Sequence, residues 1–309
     1  MGLKHKDLVS INQLTSDEIT LILDVAESFK EISERPIKKV PTLRGRTIIT
    51  LFFEPSTRTR TSFELAAKRL SADTVNISKN TSAIVKGESI KDTAQTIEAM
   101  AADLVVIRHS AAGSAELLAK YMGSSVVNAG DGSHEHPTQA LLDLYTIRQE
   151  FGTLKGLKIA IVGDILHSRV ARSNILALNK MGSEVIVVGP PTLIPKGIEE
   201  LGVKVSCNLD EVIPKVDVLY LLRIQLERQG EPLFPSLREY AALFGVDRRR
   251  LQMAKPDLIV MHPGPINRGV EISPDIADMP QALITTQVTN GVAVRMAILY
   301  LLLGGAGDE

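Results

Sequence analysis

The chain has 309 residues, which at roughly 150 per domain points to two domains of ordinary size. With 44% hydrophobic and 23% charged residues it can bury sizeable cores, which excludes a disordered or collagen-like protein. Lysine plus arginine (35) nearly cancels aspartate plus glutamate (36), so at a net charge of -1 there is no global basic field for nucleic acid or an anionic membrane. Any bound anion must be gripped by a local cluster of cations. The single cysteine, Cys207, leaves no internal disulfide and no multi-cysteine metal site. No uninterrupted apolar run approaches the roughly 18 residues of a membrane span. The opening lysines have no signal-peptide core behind them, and Lys6 stands where myristoylation would want serine or threonine. A soluble cytoplasmic protein is expected.

An amphipathic pattern predicts an opening helix over about 17–33. Short runs rich in valine, isoleucine and leucine then predict strands at 47–53, 73–77, 103–107 and 125–128. They have little polar alternation, as strands buried on both faces should. Helical patterns fall at 59–70, with Phe63, Ala66, Ala67 and Leu70 on one stripe, at 89–101 and at 137–151. A second series of strands follows at 158–162, 184–188, 203–206, 216–221 and 258–261. A helix at 168–181 aligns Ala171, Ile175 and Leu178, and a closing helix runs from about 287 to 303. Strand–helix alternation of this kind predicts parallel sheets with right-handed crossovers. The Phe151-Gly-Thr-Leu-Lys-Gly156 stretch reads as a turn restarting a second unit. The expected fold is therefore α/β, two doubly wound parallel-sheet domains with the active site in the cleft between them. Their expected extents are 1–149 and 150–286, the closing helix (about 287–305) packing back on the first.

The segment Phe53-Glu-Pro-Ser-Thr-Arg-Thr-Arg-Thr61 follows the first strand and opens a helix. Ser56 and Thr57 supply hydroxyls, and first-turn amides of a helix lack helical partners, so such a turn attracts anions. Arg58 and Arg60 put cations where the dipole alone would disfavour them. An ordinary N-cap with two solvated arginines is the bland alternative. S-T-R-T-R at a strand end points instead to phosphate, although the Walker glycine pattern is missing. Arg108 and His109 end another strand, where a surface ion pair is the plain alternative.

A Gly-rich loop then runs from Asn128 to Gln139, with Pro137 suited to a first helical turn. His136 could donate to a carbonyl oxygen and Gln139 could fix an NH2 group. The spacing of His134 and His136 invites a metal, but no third ligand is near, and no metal or cofactor is expected. In the second half the loop Val162–Arg169 has one glycine where a dinucleotide fingerprint needs three, which argues against NAD. Arg169, Arg223 and Gln225 follow strands and could hold carboxylates, since guanidinium forks bind them bidentately. Glu227 and Arg228 read as a surface pair. Met261-His-Pro-Gly-Pro-Ile-Asn-Arg268 is an irregular turn offering backbone carbonyls to an amine. No paired catalytic carboxylates, Ser-His-Asp arrangement or nucleophilic cysteine stands out. The residues point to transfer between two anionic substrates by positioning and electrostatics.

Assembled in this order, Ser56–Arg60, His136–Gln139, His-Ser-Arg169, Arg223-Ile-Gln225 and His262-Pro-Gly-Pro265 make the chain resemble the catalytic chains of the aspartate carbamoyltransferase family. The resemblance runs from about 5 to 303. The S-T-R-T-R motif marks carbamoyltransferases generally, while H-P-G-P and R-I-Q separate the chain from the ornithine-type H-C-L-P and S-M-G. Gly264 departs from the H-P-L-P of members that pair with a regulatory chain, which puts that partner in doubt.

The resemblance implies the reaction of carbamoyl phosphate with L-aspartate, an early step of pyrimidine synthesis, without cofactor. It implies that Ser56, Thr57, Arg58, Thr59 and Arg108 hold the phosphate. Thr59, Arg108 and His136 would polarise the carbonyl, and Gln139 with the Gly264 and Pro265 carbonyls would orient the NH2. Arg169, Arg223 and Gln225 would bind aspartate. Ser82 and Lys86 would reach into a neighbouring subunit's site, which implies a homotrimer; a dihydroorotase or regulatory chain in a larger assembly stays open. A carbamoyltransferase for another amine and a non-catalytic sensor of a phosphorylated metabolite are the alternatives.

Overall fold

The structure, a computed structural model, describes residues 2–78, 88–225 and 233–304. The chain divides into two compact units: one runs to Tyr145 and resumes at Val288, the other spans Thr146–Gln287.

The first unit begins with α1 (Ser16–Glu34). Thr15 caps it reciprocally with Glu18, and Ile19, Ile22, Leu23, Ala26 and Phe29 form its buried face. There follow β1 (Thr47–Phe52), α2 (Thr57–Arg69), β2 (Asp73–Ser78), α3 (Ile90–Ala99), β3 (Leu104–His109), α4 (Ser114–Lys120), β4 (Ser125–Asp131) and α5 (Pro137–Phe151). The four strands are parallel in the order β2-β1-β3-β4. On α2 the expected stripe is buried, and Phe63, Ala66, Ala67 and Leu70 are each at most 1% exposed. The short α4 had no sequence signal, because it starts after a left-handed Gly113 with no capping side chain.

The second unit contains β5 (Lys158–Val162), α6 (Arg169–Lys180), β6 (Glu184–Val188), β7 (Lys204–Ser206), α7 (Leu209–Val212), β8 (Val218–Leu221), α8 (Leu237–Phe244), α9 (Arg248–Leu251), β9 (Ile259–Met261) and α10 (Pro274–Ala277). Its sheet is parallel in the order β7-β6-β5-β8-β9. Val162, Val188, Leu219, Leu221 and Val260 centre its core. The chain closes with α11 (Ile284–Leu303), which has the length and composition to cross a membrane, yet 72% of its most apolar window is buried within the protein.

One expectation needs correcting. The strands were read as buried on both faces, which holds for β1, β3, β4, β5 and β8 but not for β2 and β7. Val75 on β2 is 47% exposed and Val205 on β7 is 37% exposed. Both strands lie at sheet edges, and unlike the edge strand β4, which the N-terminal segment covers by pairing at Leu8, they are left open to solvent, a difference that composition alone does not reveal.

A buried arginine ties the second unit together. Arg250, 5% exposed, donates to the Ala242, Leu243 and Gly245 carbonyls at the C-terminal end of α8 and to the Asp210 carboxylate. The hydrogen bond and charge of Arg250, helped by Arg249, hold the Asp210 carboxyl below the usual range. A depressed carboxyl stabilises the fold above its unfolded pKa of about 3.9 and loses that contribution as pH falls through the lower folded value. The urea midpoint of wild-type protein should therefore drop below about pH 4 more steeply than that of Arg250→Ala. At neutral pH Arg250→Ala should cost about 2–3 kcal/mol, chiefly from the carbonyls it leaves without a donor, read from the same titrations.

Candidate active site

In an α/β sheet the loops at the carboxyl ends of the strands diverge where the strand order reverses, leaving a crevice for a ligand. The order of the first sheet reverses between β1 and β3, and that of the second between β5 and β8. Ser56–Arg60 and Arg108 follow the strands at the first, and Arg169, Arg223 and Gln225 those at the second. Phe52, the last residue of β1, is in register with Arg108, and the Phe53 amide donates to the Arg108 carbonyl at 2.9 Å. In the second unit the Leu222 amide donates to the Val162 carbonyl at 2.8 Å, which sets the Arg223–Gln225 segment beside the loop leading to Arg169.

Ser56 bears on the two readings of the S-T-R-T-R turn. It stands at the N-cap of α2 in extended conformation, yet its hydroxyl makes no capping bond. Ser168 at the start of α6 does cap, accepting from the Ala171 amide at 3.1 Å. A serine that does not cap leaves its hydroxyl for another acceptor. Thr59 is buried, while Thr57, Arg58 and Arg60 are exposed. The sequence anticipated an anion here, and this local geometry favours one over an ordinary cap.

Arg108 was weighed against a surface ion pair. It does form a pair, with Glu54 at 2.7 Å, but its side chain is only 12% exposed. It also donates to the Ala129 carbonyl on β4 at 3.3 Å. The arginine is thereby held between the loop after β1 and the strand end of β4. Glu54 was overlooked, although it is the residue before the conspicuous proline.

The loop after β4 is organised around Asp131, 2% exposed. Its carboxylate accepts from the Asn128 side chain at 2.8 Å and from the amides of Gly113 and Glu135 at 2.6 and 3.1 Å. Gly132 follows with φ +50°, and a Cβ there would meet the Ala112 amide nitrogen at 2.8 Å, so only glycine fits. This scaffold sets His136 and Gln139 at the start of α5, 3% and 8% exposed. His134, by contrast, turns to Asp131 at 3.1 Å. Among the described residues no group of three or more histidine, cysteine, aspartate or glutamate side chains is placed to hold a metal ion.

In the second unit Asp164 has the organising part, and it too was overlooked. Fully buried, it holds the His167 ring at 2.9 Å and accepts from the Gln225 amide at 3.4 Å. Arg169 begins α6 and is 4% exposed; Arg223 and Gln225 are half-buried. Tyr240 lies buried near both Asp164 and Glu271, and desolvation together with those two carboxylates pushes its phenol up.

The turn after β9 is built on His262 and Glu271. The Gly264 amide donates to His262 Nδ1 at 2.8 Å, which leaves Nε2 to donate to Glu271 at 3.1 Å. Glu271 also accepts from the Asn267 amide at 2.5 Å. Among the described residues no donor takes the Gly264 or Pro265 carbonyl. Ser82, Lys86, Glu227 and Arg228 lie outside the described residues.

Hydroxyls and cations at one switch point, with arginines and a glutamine at another, fit an α/β enzyme of the group-transfer class. The chain belongs to the aspartate/ornithine carbamoyltransferase family, within its aspartate carbamoyltransferase catalytic-subunit branch. Residues 6–149 match the family's carbamoyl-P binding domain and residues 155–302 its Asp/Orn binding domain. The aspartate carbamoyltransferase catalytic subunit of Moorella thermoacetica is 62% identical over 99% of this chain and 100% of its own length. That of Syntrophotalea carbinolica is 61% identical over 99% and 97%. Among solved structures, Trypanosoma cruzi aspartate transcarbamoylase in complex with carbamoyl phosphate and aspartate is similar with a TM-score of 0.88, at 34% identity over 97% of this chain and 98% of that one. Ornithine carbamoyltransferase from Pyrococcus furiosus is similar with a TM-score of 0.87, at 30% identity over the full length of both chains. The fold is thus shared across the two branches.

Proposed function

We propose that this chain transfers the carbamoyl group of carbamoyl phosphate to the amine of L-aspartate, releasing N-carbamoyl-L-aspartate and phosphate. The observation that carries this reading is the uncapped Ser56 at the start of α2, beside the end of β3 that bears Arg108. Ser56, Thr57, Arg58, Thr59 and Arg108 hold the phosphate. Thr59, Arg108 and His136 draw charge onto the carbonyl oxygen as the amine attacks, and Gln139 with the Gly264 and Pro265 carbonyls orients the NH2. Arg169, Arg223 and Gln225, with Lys86, bind the two carboxylates of aspartate. The phosphate leaves with the bonding pair and is itself a suitable acceptor for the proton shed by the amine, so no protein base is required. Support comes from the relatives named above and from the R-I-Q and H-P-G-P segments, which differ from the ornithine-type motifs.

The test is direct. Purified protein given both substrates should form N-carbamoyl-L-aspartate and phosphate in equal amounts. L-ornithine in place of aspartate should give no product. Consumption with ornithine but not aspartate would move the chain to the other branch, and binding of carbamoyl phosphate without turnover would favour a sensor.

The reading extends to a homotrimer in which Ser82 and Lys86 of one subunit complete the site of the next. If so, mixing Arg58→Ala and Lys86→Ala chains, then unfolding and reassembling them, restores a native pair at about a quarter of interfaces in a closed ring. Activity should return towards about 25% of wild type by that symmetry argument. Mixed trimers, verified by mass spectrometry, that stay inactive would rule out the shared site.

A further inference from the structure

We propose that Asp143, one helical turn beyond Gln139 on α5, is a positioning residue that locks the Gln139 amide with its oxygen toward the substrate NH2. This rests on the carbamoyl phosphate reading and deepens it. Gln139 Nε2 donates to Asp143 Oδ1 at 3.0 Å, and the carboxylate is completely buried. An ionised carboxylate accepts and cannot donate, so only the NH2 end of the amide can face it. The opposite end, Oε1, is then the acceptor left for a ligand. A primary amide without such a partner can present either end, and its NH2 end would meet the carbamoyl NH2 as donor against donor.

Arg295 on α11 is the cation that acts on this carboxylate. It is 4% exposed, and the attraction to Asp143 opposes the burial that lowers the Arg295 pKa to about 10. The same guanidinium donates to Ser62 on α2 at 2.7 Å and lies over the Phe63 ring, 5.1 Å from its centroid. Gly291 makes room for it, since a Cβ there would stand 2.7 Å from an Arg295 nitrogen. One buried cation thus links the helix that begins with the phosphate-binding turn to the carboxylate that orients Gln139.

Asp143→Asn is the informative change, because it offers one oxygen and one NH2 where two oxygens stood. The guanidinium has no acceptor, so it draws the new oxygen and leaves the NH2 toward Gln139, which must turn its own oxygen inward. Acetyl phosphate is the probe that separates this effect from general damage, since it carries a methyl group in place of the NH2. The variant should bind carbamoyl phosphate about 10–100-fold more weakly, the scale of a lost and reversed hydrogen bond, and acetyl phosphate as wild type does. In a Gln139→Ala background Asp143→Asn should cost nothing further.

Parallel weakening of both phosphates, or a full additional loss beside Gln139→Ala, would assign Asp143 to structure alone and overturn the inference. Should Asp143→Asn leave Arg295 unpaired and fail to fold, Asp143→Asn with Arg295→Gln removes both charges together. In that pair preference should still shift from carbamoyl to acetyl phosphate, and an unshifted preference overturns the inference. A wild-type chain that binds neither compound overturns the carbamoyl phosphate reading and this inference with it. A wild type that prefers carbamoyl phosphate, beside variants with the same preference, overturns the inference alone.

Discussion

Arg58→Ala should lower kcat by on the order of 10²–10³, the usual cost of removing one preorganised donor from charge that grows in the transition state. Arg58 follows Ser56 and Thr57 in the first turn of α2, where the helix already attracts an anion. Carbamoyl phosphate carries its negative charge before reaction, so part of the attraction is spent on ground-state binding. The additional charge arrives on the bridging oxygen as the carbamoyl–oxygen bond breaks, and that increment is what the arginine is placed to stabilise. The effect should therefore fall on kcat and kcat/KM together. A raised KM for carbamoyl phosphate with unchanged kcat would show that Arg58 only binds substrate. Arg60, two residues on and likewise exposed, is the natural control, because Arg60→Ala should be far milder.

Arg223→Ala should raise the KM for aspartate by about 10–100-fold, as expected for a charge-assisted fork removed from a carboxylate. Arg223 follows β8 at the switch point of the second sheet, in the unit that does not contain the S-T-R-T-R turn. Calorimetry with carbamoyl phosphate should accordingly give a near wild-type affinity. Equal weakening of both substrates would defeat the division of labour between the units. Arg223→Lys should recover little, because an ammonium cannot reproduce a planar two-point contact. Gln225 differs in kind: its backbone amide is tied to Asp164, so Gln225→Ala tests its side chain while leaving that anchor in place.

The amino-acid sequence by itself determined the elements and most of the chemistry. Runs of valine, isoleucine and leucine marked the nine strands of the described residues, most strongly those buried under flanking helices, which admit little else. Pro137 marked the first residue of α5, and the predicted span of that helix matches the observed one. S-T-R-T-R, H-P-T-Q and R-I-Q were legible because each interrupts an apolar pattern at the end of a strand. Strand order was not legible. Only pairing distant segments set β1 beside β3 and β5 beside β8, and that pairing turned scattered motifs into switch-point loops. It also consigned β2 and β7 to edges, where apolar residues stay half exposed.

The carboxylates that organise the site escaped for the same reason. Asp131, Asp164 and Glu54 each look like ordinary loop acids, and their partners are Gly113, Gln225 and Arg108, from 18 to 61 residues away. Asp143 was within reach of sequence reasoning, since Gln139 and Asp143 are four apart on one helix and side chains so spaced are neighbours. Its attraction to Arg295 was not, because only tertiary packing brings a cation from the closing helix into that dry interior. Local chemistry follows from residue spacing, but the environment that gives a buried charge its function is set by the groups folding places around it.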